Sequence, residues 1–322
     1  MGEIDAPILL FGMPRSGTTW IGKIFDSSPH TLYRHEPDSW GTLNTIPLMP
    51  AVVEAESYSE VIKAFLERLP LARKTKVAAS LPIFPKSGES AFAWRTRSSA
   101  LMAVKALSKY IGEMSVPAWL ELRAGRLRPV WKSIESTGRL GVILRTAPEC
   151  KAIHILRHPC GYVASVLRGE EKNKFECGRD SEDFGLFEML CQLEQAKRRS
   201  LSLSDFRDMR PAVRLAWRWL LMNEKARDDC QGLGNYRTIS YDRVCAEPLE
   251  QSRAMFDFVG LAWAQQTENF LSASTGREND AYYSVFKDPL RSANKWRTEL
   301  SSEDVAQIMG VVDGTWAAEL FA

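Results

Sequence analysis

The run Gly12-Met13-Pro14-Arg15-Ser16-Gly17-Thr18-Thr19-Trp20 concentrates groups that bind anions. Its two glycines have the spacing of a phosphate loop, with Thr18 where a nucleotide triphosphatase carries its lysine. Gly17 lets the backbone approach an anion, so that successive N–H groups converge on it and a following helix adds its dipole. Arg15 and the hydroxyls of Ser16, Thr18 and Thr19 are further donors. Trp20 fits a core aromatic and a nucleotide contact equally well. Arg157 leaves an apolar run and Ser165 follows on the next predicted helix; an arginine there can bind an anion bidentately and the serine can add a hydroxyl donor, while taken alone they fit a surface cation and a simple helix residue as well. His35 and Glu36, in Tyr33-Arg34-His35-Glu36-Pro37, are groups able to take a proton. Lys132 is a cation expected at a strand end.

Pro14-Arg15-Ser16-Gly17-Thr18-Thr19-Trp20 resembles the 5'-phosphosulfate loop of sulfotransferases that use 3'-phosphoadenosine 5'-phosphosulfate (PAPS), in the arginine-bearing form of the protein-tyrosine and carbohydrate members. Arg157 and Ser165 resemble the arginine and serine that hold the nucleotide's 3'-phosphate in that family. Tyr241-Asp242-Arg243-Val244 is similar to the element with a tyrosine at the adenine site. Lys295-Trp296-Arg297, with Arg291 just before it, is similar to the basic segment closing over the 3'-phosphate, although Ala293 and Asn294 replace the glycine-bearing version of the cytosolic members. These elements run in family order over most of the chain.

The resemblance implies a P-loop-like α/β fold, PAPS as donor, adenosine 3',5'-bisphosphate as product, and no metal. It makes Glu36 the base, with His35 the second candidate. Strand alternation would send those two side chains to opposite faces. A carboxylate merely ion-paired near Arg34 is the structural alternative for Glu36. Lys132 resembles the lysine set against the transferring sulfonate, and Ser133 could assist it. Arg15 and Lys132 would meet charge developing on the leaving phosphate. His154, inside an apolar strand, reads as a hydrogen-bonded core residue.

Two rival functions share the loop. A phosphotransferase would need Mg²⁺ and an aspartate at the neighbouring strand end, where this chain has the repelling Arg157. A non-catalytic nucleotide-binding module would tolerate loss of Glu36 and Lys132.

To position these residues, Pro7–Met13 reads as a strand running into the loop, and Thr18–Ser27 as a helix. Lys151–Leu156 repeats the unit, with Pro159 opening the helix. Further strands are expected at Thr31–Arg34, Arg128–Lys132 and Tyr236–Ser240, and helices near Leu140–Ala147, Ala212–Asp228 and Leu249–Val259. That alternation predicts one α/β domain over residues 1–322, a mainly parallel sheet flanked by helices, with its site at the strands' carboxyl ends.

Residues 38–127 interrupt the alternation as a candidate acceptor-binding or lid insertion. An amphipathic helix is expected through Val52, Val53, Ile62, Phe65, Leu66 and Leu69. Pro70–Ser99 carries six basic residues against the single acid Glu89, and reads either as a solvated, partly mobile loop or as a surface favouring anionic acceptors.

A formal charge of +2 over 322 residues calls for neither nucleic acid nor an anionic membrane. With strand-like residues from Ala6, the chain has no space for a signal peptide or anchor before the fold and no apolar run of about 20 residues, so a cytoplasmic location is the expectation. Six cysteines without a C-x-x-C pair indicate neither a zinc site nor a disulfide framework. The acceptor, whether small molecule, glycan, lipid or peptide, and the oligomeric state are not legible.

Overall fold

The computed structural model describes residues 5–40, 43–120, 122, 127–172, 178–275 and 289–321. Five parallel strands form the sheet in the order β2-β3-β1-β4-β5: β1 Ile8–Phe11, β2 Thr31–His35, β3 Arg128–Ser133, β4 Lys151–Leu156 and β5 Tyr236–Ser240. The predicted strands are present with ends shifted by at most a few residues. The central strands β1 and β4 are buried along almost their whole length, as strands covered by helices on both faces are, whereas the edge strand β5 is only partly buried.

Between β1 and β3 come α1 Thr18–Asp26, a 3-10 segment Val52–Tyr58, α2 Ser59–Arg68, α3 Thr75–Ala78 and α4 Ala91–Ile111. Next are α5 Leu140–Thr146, α6 Pro159–Glu171, the short α7 Phe184–Cys191, α8 Glu194–Lys197 and α9 Leu203–Asp208, then the long α10 Pro211–Asp229. After β5 follow α11 Tyr241–Ala246, α12 Pro248–Val259, α13 Gln265–Thr275, α14 Pro289–Asn294, α15 Trp296–Glu299, α16 Ser302–Val312 and α17 Trp316–Phe321.

Alternate residues of β1 divide the core. Ile8 and Leu10 pack with Ile21, Phe25, Phe256 and Phe270 on one face, and Leu9 and Phe11 pack with Trp131, Phe65, Leu140 and Ile143 on the other. A third cluster joins α6, α10 and α16 through Val163, Trp219 and Ile308. His154 lies within the sheet as expected, bonded to Tyr236 Oη at 2.8 Å and Asn223 Oδ1 at 3.0 Å.

The insertion is more structured than its composition predicts. The expected single amphipathic helix is divided: a 3-10 segment leaves Val53 91% exposed, and α2 buries Ile62, Phe65 and Leu66. The basic stretch is no continuous loop. It holds α3 and the start of α4, whose first turn is capped by Ser90 Oγ accepting from the Ala93 N–H at 3.1 Å.

Lys86 of this stretch and Lys23 of α1 are structural. Lys86 is buried and donates to Asp26 Oδ1 and the Ser28 carbonyl, each at 3.0 Å, and to the Asp26 carbonyl. Lys23, fully buried on α1, donates to Asp26 Oδ2 at 2.5 Å, the Ser80 carbonyl at 2.7 Å and the Pro82 carbonyl at 2.8 Å. Burial opposes both ammonium charges and lowers both pKa values, while Asp26 partly restores them. The 80–86 stretch is thereby fastened to the last turn of α1. Arg97 pairs with Glu89 at 2.6 Å.

Among the described residues no helix is long and apolar enough to cross a membrane, and no group of three or more His, Cys, Asp or Glu is placed to hold a metal.

Candidate functional site

Each strand delivers a candidate residue at its carboxyl end. Phe11 of β1 lies beside Ser133 of β3 and His154 of β4, so the loop after β1 emerges between the ends of those strands. The chain leaves β1 toward β2 on one side and leaves β4 toward β5 on the other. The divergence opens a crevice above β1 and β4, the place where open α/β sheets bind ligands.

The loop's backbone suits an anion. Arg15 has φ 70° and Gly17 φ 81°, left-handed conformations that turn N–H groups inward. A Cβ on Gly17 would lie 2.1 Å from the Tyr241 ring, so glycine is required by φ and by packing. The first N–H groups of α1 have no intrahelical acceptors and face the loop. Ser16 Oγ is buried with no hydrogen-bond partner among the described residues. Such an orphaned donor fits a site shaped for a bound anion. Thr18 is buried and Thr19 half-buried on the first turn.

The two sequence-predicted anion sites meet. Arg157, following β4, donates from Nη1 to the Arg15 carbonyl at 3.0 Å and from Nη2 to the Ser292 carbonyl at 2.7 Å. Its Nε is buried and has no partner among the described residues. Arg15 Nε donates to Ser165 Oγ at 3.0 Å, so the loop's arginine reaches the serine of the second site. Gly161 leaves room for this: a Cβ there would lie 3.0 Å from Arg157 Nε and 3.4 Å from the Trp296 ring.

Glu36 and Lys132 form the second constellation. Lys132 is 1% exposed, and its Nζ donates to Glu36 Oε1. Burial lowers the Lys132 pKa, and Glu36 and Asp38 pull it back up. The ion-pair alternative placed Glu36 near Arg34, but Arg34 instead donates to the Pro70 carbonyl.

His35 and Glu36 do not diverge as strand alternation predicts. The strand ends at His35, and Glu36 takes a left-handed φ of 49°, which swings its carboxylate to 3.7 Å from His35 Nε2. Tyr33 Oη lies 2.9 Å from His35 Nδ1. Burial, then the charges of Lys132, Lys23 and Lys105, hold the His35 pKa well below its usual value, so its imidazole is neutral near neutral pH.

Trp20 is a core residue. It is 7% exposed, donates to Ser274 Oγ at 3.2 Å and meets Tyr241 edge-on, ring centres 6.2 Å apart. Tyr241 opens α11, packs on Gly17 and lies under the Arg157 guanidinium at 5.5 Å.

The residues just before Lys295 form the helix α14, from Pro289 to Asn294. Trp296 is buried and stacks on His158 at 4.5 Å and 14°, Arg297 lies 4.5 Å over the Trp296 ring, and Lys295 is half-buried between α14 and α15. Arg291 is exposed on α14.

Several supporting residues lie outside the set of site residues expected from the sequence. Asp38 is buried and accepts from Trp131 Nε1 at 3.1 Å, from Ser136 Oγ at 2.6 Å and from Ser133 Oγ. It clamps the turn carrying Glu36 to the end of β3; Ser133 belongs to this clamp. Asp242 accepts the His158 N–H at 2.7 Å. Arg168 donates to Ser165 Oγ at 3.4 Å and pairs with Glu299. For Asp38 the only sequence signal is its place two residues beyond Glu36; Arg168 had the helical spacing of three from Ser165.

The family model described as "Sulfotransferase family" matches residues 7–185, more than half of the chain and the part holding the loop, Glu36, Lys132, Arg157 and Ser165. Human carbohydrate sulfotransferase 3 is 22% identical over 95% of this chain, which spans 65% of that protein's length. Mouse carbohydrate sulfotransferase 2 is 26% identical over 23% of this chain and 15% of its own. Among solved structures, the sulfotransferase domain of the Synechococcus PCC 7002 olefin synthase is 15% identical with a TM-score of 0.45, covering 96% of each chain. Mouse sulfotransferase SULT7A1, complexed with PAP, is 11% identical with a TM-score of 0.46, covering 99% of this chain and 89% of its own. The family model thus spans the strands and turns that build the two constellations, and the chain belongs to the sulfotransferase family.

Proposed function

We propose that the protein transfers the sulfuryl group of PAPS to an acceptor hydroxyl or amine. The supporting observation is the convergence at the strand ends: the phosphate loop, the Glu36–Lys132 pair and the Arg157–Ser165 site surround one crevice, with Arg157 tied to the Arg15 carbonyl.

In this reading the loop N–H groups, Arg15, Ser16, Thr18 and Thr19 hold the 5' end of the donor. Arg157 and Ser165 take the 3'-phosphate, with Lys295 and Arg297 closing beside them and Tyr241 near the adenine. Trp20 and Trp296 support the pocket through packing. As the acceptor oxygen attacks sulfur, Glu36 takes its proton and the bond from sulfur to the bridging phosphate oxygen breaks. Arg15 and Lys132 meet the negative charge gained by the leaving adenosine 3',5'-bisphosphate. In this reading the Tyr33 hydroxyl donates to Nδ1, so that Nε2 carries the ring proton and faces the Glu36 carboxylate at 3.7 Å, outside hydrogen-bond reach, and His35 adjoins the carboxylate rather than acting as base.

Arg157 stands where a magnesium-dependent phosphotransferase needs an aspartate, which disfavours that reading. The insertion 38–127 is proposed to shape the acceptor pocket. A sugar hydroxyl is the first acceptor class to screen, followed by lipids, phenols and small alcohols.

Calorimetric titration of adenosine 3',5'-bisphosphate without metal, against ATP and adenosine 5'-monophosphate, tests the donor assignment. Binding that depends on the 3'-phosphate supports it; a magnesium-dependent preference for ATP overturns it.

A further inference from the structure

Ser165 Oγ is 2% exposed by residue and receives two guanidinium groups, Arg15 Nε at 3.0 Å and Arg168 Nη2 at 3.4 Å. Arg157 adjoins the same loop through the Arg15 carbonyl. Glu299 sets a carboxylate beside this cluster: its Oε2 accepts from Arg168 Nη1, leaving the other arm of the fork on Ser165.

We infer that Arg168 is a third guanidinium of the pocket for the donor's 3'-phosphate, and that Glu299 occupies it until the phosphate arrives. This rests on the 3'-phosphate reading above. The pair sits at the edge of the pocket, with side chains 23% and 32% exposed, so the carboxylate can turn to solvent when displaced. A phosphate carries more charge than a carboxylate and accepts both arms of an arginine, whereas a half-exposed ion pair contributes little. Glu299 ends α15, the helix whose Trp296 stacks on His158, so the exchange takes place where the C-terminal segment meets α6.

Adenosine 3',5'-bisphosphate and adenosine 5'-monophosphate are titrated into the wild-type protein and into Arg168→Gln, Arg168→Lys and Glu299→Gln. Arg168→Gln is expected to weaken the bisphosphate about tenfold and leave the monophosphate unchanged. Arg168→Lys, which keeps the charge and loses the fork, is expected to fall between. Glu299→Gln keeps Arg168 in place and is expected to tighten the bisphosphate a few-fold, again without effect on the monophosphate. Equal weakening of both ligands by Arg168→Gln, or no weakening of either, overturns the inference while a wild-type preference for the bisphosphate leaves the pocket itself standing. A wild-type protein that does not distinguish the two ligands removes the 3'-phosphate site and this inference with it.

Discussion

At Glu36 the proposed chemistry depends on one backbone angle. A glutamate at φ 49° is uncommon, and it is this angle that places the carboxylate on Lys132. Glu36→Gln is expected to keep adenosine bisphosphate binding and reduce turnover by about a hundredfold or more. A near-normal rate would remove Glu36 from the mechanism. The same substitution leaves the buried Lys132 ammonium without its charge partner, so it also destabilises the fold. Glu36→Gln combined with Lys132→Met should restore the melting temperature without restoring activity; failure to recover stability would mean that the pair is held by something other than its charges. The sequence nominates this residue through its resemblance to the place where some family members set a glutamate. Its direction is not legible, because strand periodicity ends one residue earlier and no local pattern marks a left-handed glutamate.

The next scale is that of the turn and the helix. The strand-loop-helix unit around Gly17 was readable because apolar runs, glycines and helical spacing all act over neighbouring residues. Gly17→Ala would drive a methyl group into Tyr241 and strain the loop, so it should abolish bisphosphate binding; retained affinity in calorimetry would show that the loop can reshape. Asp38 teaches the opposite lesson. Its partners Trp131, Ser133 and Ser136 lie more than ninety positions away, so nothing near Asp38 announces the clamp. Asp38→Ala would leave buried donors unsatisfied and should cost about 2–4 kcal/mol in chemical denaturation, with a cost below ~1 kcal/mol counting against the clamp. Helix α4 escaped notice for a related reason. Among its described side chains Leu101 is the one counted as buried, so it carries no apolar stripe from which a helix could be read.

For the molecule as a whole, His154 and His158 join His35 in tying stability to pH. Burial pushes His154 and His158 down to about 4 from an ordinary 6.5, for His158 with help from the Arg297 and Arg157 charges. The unfolded chain therefore binds these protons first as pH falls. The resulting stability is complete above 6.5 and is lost progressively toward 4, with each group contributing at most about 1.4 kcal/mol per pH unit. Melting temperatures across this window should fall on acidification, and His158→Phe should flatten the slope. An unchanged slope would place the acid sensitivity elsewhere. The sheet order, by contrast, could not be read from the sequence. Strand patterns identify each strand but not its neighbour, and it is the neighbour relation of β1 and β4 that brings Arg157 to the Arg15 carbonyl.

The fastening of residues 80–86 to α1 bears on the proposed role of the insertion in acceptor choice, which exchanging that segment between relatives would test. A graft of the whole insertion looks simple, since it leaves after β2 and returns at β3, two adjacent strands. Yet Lys86 inside the graft and Asp26 outside it share one buried ion cluster with Lys23. A donor segment lacking a cation at that position would leave Lys23 and Asp26 with an open end to fill. The exchangeable unit is therefore the insertion together with the last turn of α1, and chimeras cut at the strand ends alone should express poorly until that turn is transplanted with them.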